Sequence, residues 1–228
     1  MEKRVTFKGI WLPLLLVLPQ LVITAVFFFY PAGQAVYQSL FIPDPFGLSM
    51  QWVGLGNFEY LLGNAYYRAS FVTTAIFSIS VTVVSMGVAL YLAVLADRLI
   101  KGSGVYRTLL IWPYAVAPAV AGVLWLFMFN TRVGVITWYL GVLGYDWNHV
   151  LNGEEAMGLV VVASAWGRIS YNFLFFLAGL QAIPRSVIEA AAIDGARFWT
   201  RFRTIVWPLL SPTTFFLLVV NIVYAFFE

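Results

Sequence analysis

Apolar runs of unusual length dominate the chain, with short polar stretches between them. Crossing ~30 Å of hydrocarbon as a helix takes roughly 20 mostly apolar residues. Five stretches meet that requirement: 11–30, 70–96, 108–129, 156–181 and 204–227. They are continuous, without the ~10-residue alternation of a barrel strand. The pattern therefore predicts an all-α, polytopic bundle of five spans forming one domain over 1–228. The fifth span is only just complete at the end of the chain, so the expectation is a chain shortened from six spans.

Composition agrees with the pattern. Apolar residues make up 62% and charged residues 10%, against about 25% charged in a soluble domain. So few charges could not cover a water-facing surface, and the natural solvent is lipid. The first run follows Lys3, Arg4 and Lys8 as a secretory signal would, with Gly33-x-Ala35 resembling a cleavage site. Its apolar core is longer than a signal h-region of about 7–15 residues, and four more spans follow, so it reads as a span.

The basic residues give an orientation. Lys3, Arg4 and Lys8 precede span one, Arg98, Lys101 and Arg107 lie between spans two and three, and Arg185, Arg197, Arg201 and Arg203 lie between four and five. The alternate loops hold Arg68 and Arg132. Ten against two predicts a cytoplasmic N-terminus. The same placement explains the net charge of +3 without nucleic acid, since the cations form no stripe. In the outer loops, 42–47 (Ile-Pro-Asp-Pro-Phe-Gly) cannot continue a helix. Trp52, Tyr60, Trp138 and Trp147 suit headgroup depth.

Several chemistries fall away. There is no cysteine, hence no disulfide, iron–sulfur cluster or thiol nucleophile. His149 is the only histidine; it lies in a loop, reads as solvated, and argues against a zinc site or a His-based triad. No Gly-Lys pair occurs, so there is no P-loop. Any ATP hydrolysis belongs to another chain, and this one is expected to carry no cofactor of its own.

The loop between spans four and five is the informative one. Pro184 stops span four. Ser186 to Glu189 reads as a capping box opening a short helix, and Asp194-Gly195 ends it with Gly195 in the left-handed conformation. A second short helix carries Phe198, Trp199 and Phe202, and Pro208 sits in the opening turns of span five. Such a helix–turn–helix is either a docking surface or a solvated loop that fixes topology, and physics alone leaves the two open.

Glu189-Ala190-Ala191, three residues, Gly195, nine residues, Ile205, one residue, then Trp207-Pro208 resembles the EAA loop of binding-protein-dependent ABC importer permeases. Trp207 stands where leucine is usual. Further segments, among them 16–20, 112–118, 171–176, 180–184 and 221–227, are similar to the maltose-permease branch, and within it to permeases of sn-glycerol 3-phosphate importers. The resemblance implies an inner-membrane, multi-pass transport subunit rather than an enzyme. It implies a second homologous permease, a periplasmic binding protein, and two ATPase subunits that bind ATP-Mg. It also places ATPase coupling on Glu189, Ala190, Ala191, Asp194 and Gly195, within a coupling loop at 184–203. The favoured cargo is sn-glycerol 3-phosphate or a related glycerophosphodiester. A sugar or oligosaccharide permease is the close alternative, and an ATP-independent secondary transporter or an inert scaffold a remoter one.

Arg168 lies inside span four, about 18 Å along the helix from Ala156. An intramembrane arginine costs roughly 2.5–3.5 kcal/mol and faces the bundle interior or water. Either it lines the pathway and attracts an anion, or it pairs with a carbonyl or with an acidic group of a partner subunit. Tyr171 and Asn172, one turn on, could share either role, and for each alone packing is preferred. The hydroxyls of span two read as glue between helices.

Overall fold

The computed structural model describes residues 9–98 and 103–227. Lys3, Arg4, Lys8, Lys101 and the Arg98 side chain, which carry half of the expected inner charge, lie outside the description. Two compact units, Met1–Phe71 and Val72–Glu228, divide the chain.

In the first unit, helix α1 (Trp11–Thr24) passes through a π-helical turn, Ala25–Phe29, into α2 (Tyr30–Gln38). Together they form one apolar run, Trp11–Gln38, eight residues longer than the sequence reading. Pro31 has no N–H to offer the carbonyl four residues back. The π turn shifts the pairing by one residue instead, as the Tyr30 N–H donating to the Ala25 carbonyl shows. Strands β1 (Phe41–Pro43) and β2 (Met50–Trp52) then pair antiparallel, Phe41 opposite Trp52. The Pro-Asp-Pro-Phe-Gly turn makes this small hairpin, with Gly47 at φ +70° and the Asp44 carbonyl accepting the Gly47 N–H at 2.8 Å. Helix α3 (Gly56–Gly63) is tied to it by Asn57, whose Nδ2 donates to the carbonyls of Ser39 and Phe41.

Helix α4 (Ala65–Arg98) starts in the first unit and ends in the second. The second unit continues with α5 (Ser103–Ile111), a 3-10 turn (Trp112–Ala115), α6 (Pro118–Met128), α7 (Val135–Val142) and α8 (Gly153–Ala182). Helices α9 (Arg185–Ile193), α10 (Phe198–Arg201) and α11 (Trp207–Phe226) complete it, with a second π turn at Phe202–Val206.

Its core is where α4, α8 and α11 meet. Ser78, Thr82, Ser85, Ala89, Ala93 and Ala96 of α4 are buried. Their three- and four-residue spacing makes one stripe of small side chains, which lets helices approach closely. Against it pack Phe173, Phe176 and Leu177 of α8 and Leu210 and Leu217 of α11. Gly179 serves the same end, because a Cβ there would stand 2.7 Å from Leu210 Cδ1. Helix α8 starts cleanly: the Asn152 side chain accepts the Glu154 N–H, and Glu154 and Glu155 occupy the first turn, where acids suit the helix dipole.

The third span departs from expectation. Residues 108–129 form not one helix but a pair, Gly104–Ala115 and Pro118–Met128, bent by 97°. Pro118 disfavours helical geometry in the residue before it, and Val116 (ψ 128°) and Ala117 (ψ 134°) are indeed extended. The span drawn as one helix from the sequence is thus broken just ahead of Pro118. Among the described residues, four other helical runs are long and apolar enough to cross a membrane, five spans if the bent pair is one.

Candidate functional site

Two places in the second unit carry the residues singled out from sequence. The first is a cleft of about 740 Å³ beside the break in the third span. Tyr114, Trp125 and Leu126 line it from the broken span, and Trp166, Gly167 and Arg168 from α8. Trp125 and Trp166 meet edge to face, ring centres 5.9 Å apart. The walls are thus aromatic and apolar around a single guanidinium. Arg168 is half-buried, and its Nη1 donates to the backbone carbonyl of Asn221 in α11 at 3.0 Å. Tyr171 is half-buried against Tyr114 and Phe175.

Asn172 does not line the cleft. It is 0% exposed and closes a polar knot between three helices. Its Nδ2 donates to Ser85 Oγ at 3.2 Å and to Asn221 Oδ1 at 3.1 Å. In return Asn221 Nδ2 donates to Asn172 Oδ1 at 2.7 Å and to the Leu217 carbonyl at 2.8 Å. All four amide hydrogens have acceptors, as burial demands. Asn221 was missed in the sequence; its signal was a lone amide in the otherwise apolar second half of span five. The Ser78, Thr82 and Ser170 hydroxyls are buried without a hydrogen-bond partner among the described residues, so of the span-two hydroxyls Ser85 is the one that joins helices through its side chain.

The second place is the loop between α8 and α11. Helix α9 turns its inner edge, Ile188, onto Ile183, Phe198 and Phe202 around a cavity of about 340 Å³. Glu189, Ala190, Asp194 and Gly195 are exposed and Ala191 is half-buried. Ile193, which the sequence reading passed over, is 86% exposed; it shares a face with Glu189 and Ala190 by its spacing of four and three. Gly195 has φ +80°, as expected. The Ala196 N–H donates to the Ala191 carbonyl and the Gly195 N–H to that of Ala192, a complete Schellman motif.

Two expectations for this loop are corrected. No capping box forms: Pro184 precedes the first helical residue, Arg185, and no side chain caps the helix. The proline, fixed at φ −59° with its carbonyl accepting the Val187 N–H, starts the helix one step ahead of Ser186. Nor is there a separate second helix, since 198–226 runs without a break through the π turn.

The remaining loop also differs. His149 is half-buried and its Nδ1 accepts from Trp147 Nε1 at 3.3 Å, so it is not simply solvated. Glu155 gathers the segment before α8, accepting from the Asn148 N–H, Asn152 Nδ2 and the Tyr145 hydroxyl. That last hydrogen bond is the main cause raising the Tyr145 phenol above its usual range.

Known proteins give the arrangement a context. Residues 101–228 match the family model described as "Binding-protein-dependent transport system inner membrane component". The sn-glycerol-3-phosphate transport system permease protein UgpA of Rhizobium meliloti (strain 1021) is 61% identical, over 99% of this chain and 77% of its own length. That of Yersinia enterocolitica is 60% identical over 100% and 77%. Among solved structures, a chain of a bacterial alginate ABC transporter, in complex with an alginate pentasaccharide-bound periplasmic protein, superposes with a TM-score of 0.76 at 19% identity. That match covers 92% of this chain and 71% of the other. The apolar helices, the broken span and the loop after α8 therefore have a common explanation: the chain belongs to the family of inner membrane components of binding-protein-dependent transport systems, as a membrane-spanning permease subunit of an ABC importer.

Proposed function

We propose that this permease forms, with a second homologous permease, the inner-membrane pathway for sn-glycerol 3-phosphate or a related glycerophosphodiester. The observation that carries the reading is Arg168 on the wall of an aromatic cleft, because a guanidinium matches phosphate geometry. Identity near 60% to permeases named for that cargo supports it. Tyr171 stands beside the cleft as a second pathway residue, while Asn172 acts from inside the helix packing. A periplasmic binding protein delivers the substrate, and two ATPase subunits carry the ATP. Glu189, Ala190, Ala191, Asp194 and Gly195, with Ile193 as an apolar knob, present the ATPase-docking face. The N-terminus and this loop are cytoplasmic.

The test is uptake of labelled sn-glycerol 3-phosphate against maltose in vesicles holding the complete complex. Arg168→Gln should lower uptake of the anion about 10- to 100-fold while both permeases still co-purify and ATP is still hydrolysed. Arg168→Lys, which keeps the charge and loses the fork, should fall between. Normal uptake by Arg168→Gln, or loss of assembly, would remove Arg168 from the pathway. Gly195→Val, strained at positive φ, should leave the subunit in the membrane and uncouple transport from ATP hydrolysis; coupled transport near wild type would refute the docking face.

A further inference from the structure

Two asparagines buried in an apolar bundle call for a reason other than stability. Replacing both partners of a buried hydrogen bond by apolar groups of similar shape can be nearly neutral. What a reciprocal amide pair does specify is geometry, since it holds only at one rotation and one register of the two helices. Asn221 belongs to both polar arrangements. Its side chain is in the knot with Asn172 and Ser85, and its backbone carbonyl accepts from Arg168 at 3.0 Å.

We infer that Asn221 is a positioning residue for transport: the knot fixes its carbonyl, and that carbonyl aims the Arg168 guanidinium at a phosphomonoester in the cleft. The inference rests on the anion reading of Arg168 given above. A guanidinium is a rigid planar fork, so anchoring one N–H sets the direction of the whole plane. The ordering is then complete before the anion arrives, which raises affinity without adding a contact to the ligand. The carbonyl is a neutral acceptor and a phosphate a charged one, so anchoring need not be given up for the stronger bond to form. Ser85 joins the knot at both amides, accepting from Asn172 Nδ2 and donating to Asn221 Oδ1.

The complete complex can be probed with phenylglyoxal, an arginine-directed dicarbonyl, reading modification of the Arg168 peptide by mass spectrometry. The rate reports how firmly the guanidinium is held. The concentration of sn-glycerol 3-phosphate that half-protects it reports affinity at the site, independent of the binding protein. Asn221→Ala and Asn172→Ala should each speed modification severalfold and raise the half-protecting concentration about tenfold, the effect of one lost hydrogen bond. Ser85→Ala, a change too small to endanger folding, should shift both in the same direction, and Ser85→Thr should restore them. Unchanged rate and protection in these variants, with only assembly or expression reduced, would make the knot a structural joint and overturn the inference. A lower half-protecting concentration would also overturn it, by making the carbonyl a competitor for Arg168. If the anion fails to protect Arg168 even in the wild-type complex, the anion reading itself falls, while the modification rates still report whether Asn221 holds the guanidinium.

Discussion

The third and fifth spans each contain two prolines and end in opposite shapes. Pro113 and Pro118 stand in a span bent by 97°, whereas Pro208 and Pro212 stand in an unbroken run, Phe198–Phe226. Each proline withdraws one donor from the helix, so the difference lies in what replaces it. At Pro212 the orphaned acceptor is the Pro208 carbonyl, and Ser211 Oγ donates to it at 2.7 Å. Ahead of Pro208 the π turn re-pairs the backbone, with the Trp207 N–H reaching back to the Phe202 carbonyl. In the third span the residue before Pro118 is an alanine, with no hydroxyl to lend. The chain extends through Val116 and Ala117, and the non-helical backbone lies beside a cleft, where it is tolerated. Proline count therefore does not decide whether a span breaks; in the fifth span other donors take up the acceptors that the prolines leave.

The comparison can be broken most strongly by straightening the third span. Pro113→Ala with Pro118→Ala removes helix penalties of about 3 kcal/mol each. A straight helix would put residues 109 and 126 about 26 Å apart. Spin-label distances between those positions should lengthen toward that value, and uptake should fall at least about tenfold as the cleft closes. An unchanged distance would mean that tertiary packing, not proline, makes the break.

A smaller effect is expected where the unbroken span lies against α8. A Cβ at Gly179 would meet Leu210 Cδ1 at 2.7 Å and Thr213 Oγ1 at 3.1 Å, and Leu210 is fully buried. Gly179→Val should destabilise the subunit by about 1–3 kcal/mol through overpacking, read as a lower midpoint for thermal loss of permease co-purification. No change would show that α11 can shift aside. The smallest effect belongs to Ser211→Ala, about 1 kcal/mol for one hydrogen bond. Hydrogen exchange should rise in the turn around Pro212, and Ser211→Thr should keep the wild-type rate.

Much of this architecture was legible in the chain. The long apolar runs gave the spans, and Asp194-Gly195 gave the turn after α9, because a left-handed C′ position is a local backbone requirement. What was not legible depended on competition between neighbours. Ser186 and Glu189 carry a capping-box spacing, but Pro184 fixes the helix start first. Pro31 and Pro208 look like helix breakers until a π turn absorbs each of them. The knot escaped because Asn172 was weighed as a residue near Arg168, and its partner lies 49 positions away. A pairing at that separation has no local signature. Ile193 was overlooked for a similar reason, since an apolar residue in the last turn before a capping glycine reads as ordinary hydrophobic closure.

The uninterrupted run from Phe198 to Phe226 has a mechanical consequence. At 1.5 Å per residue its 29 residues form a rod of about 43 Å. A tilt of about 5° about one end then carries the other sideways by about 4 Å. The rod begins two residues after the Schellman turn, past the extended Arg197, and carries Asn221 near its other end. Displacement at the Phe198 end would thus reach Asn221 as leverage, its size set by the length of the arm.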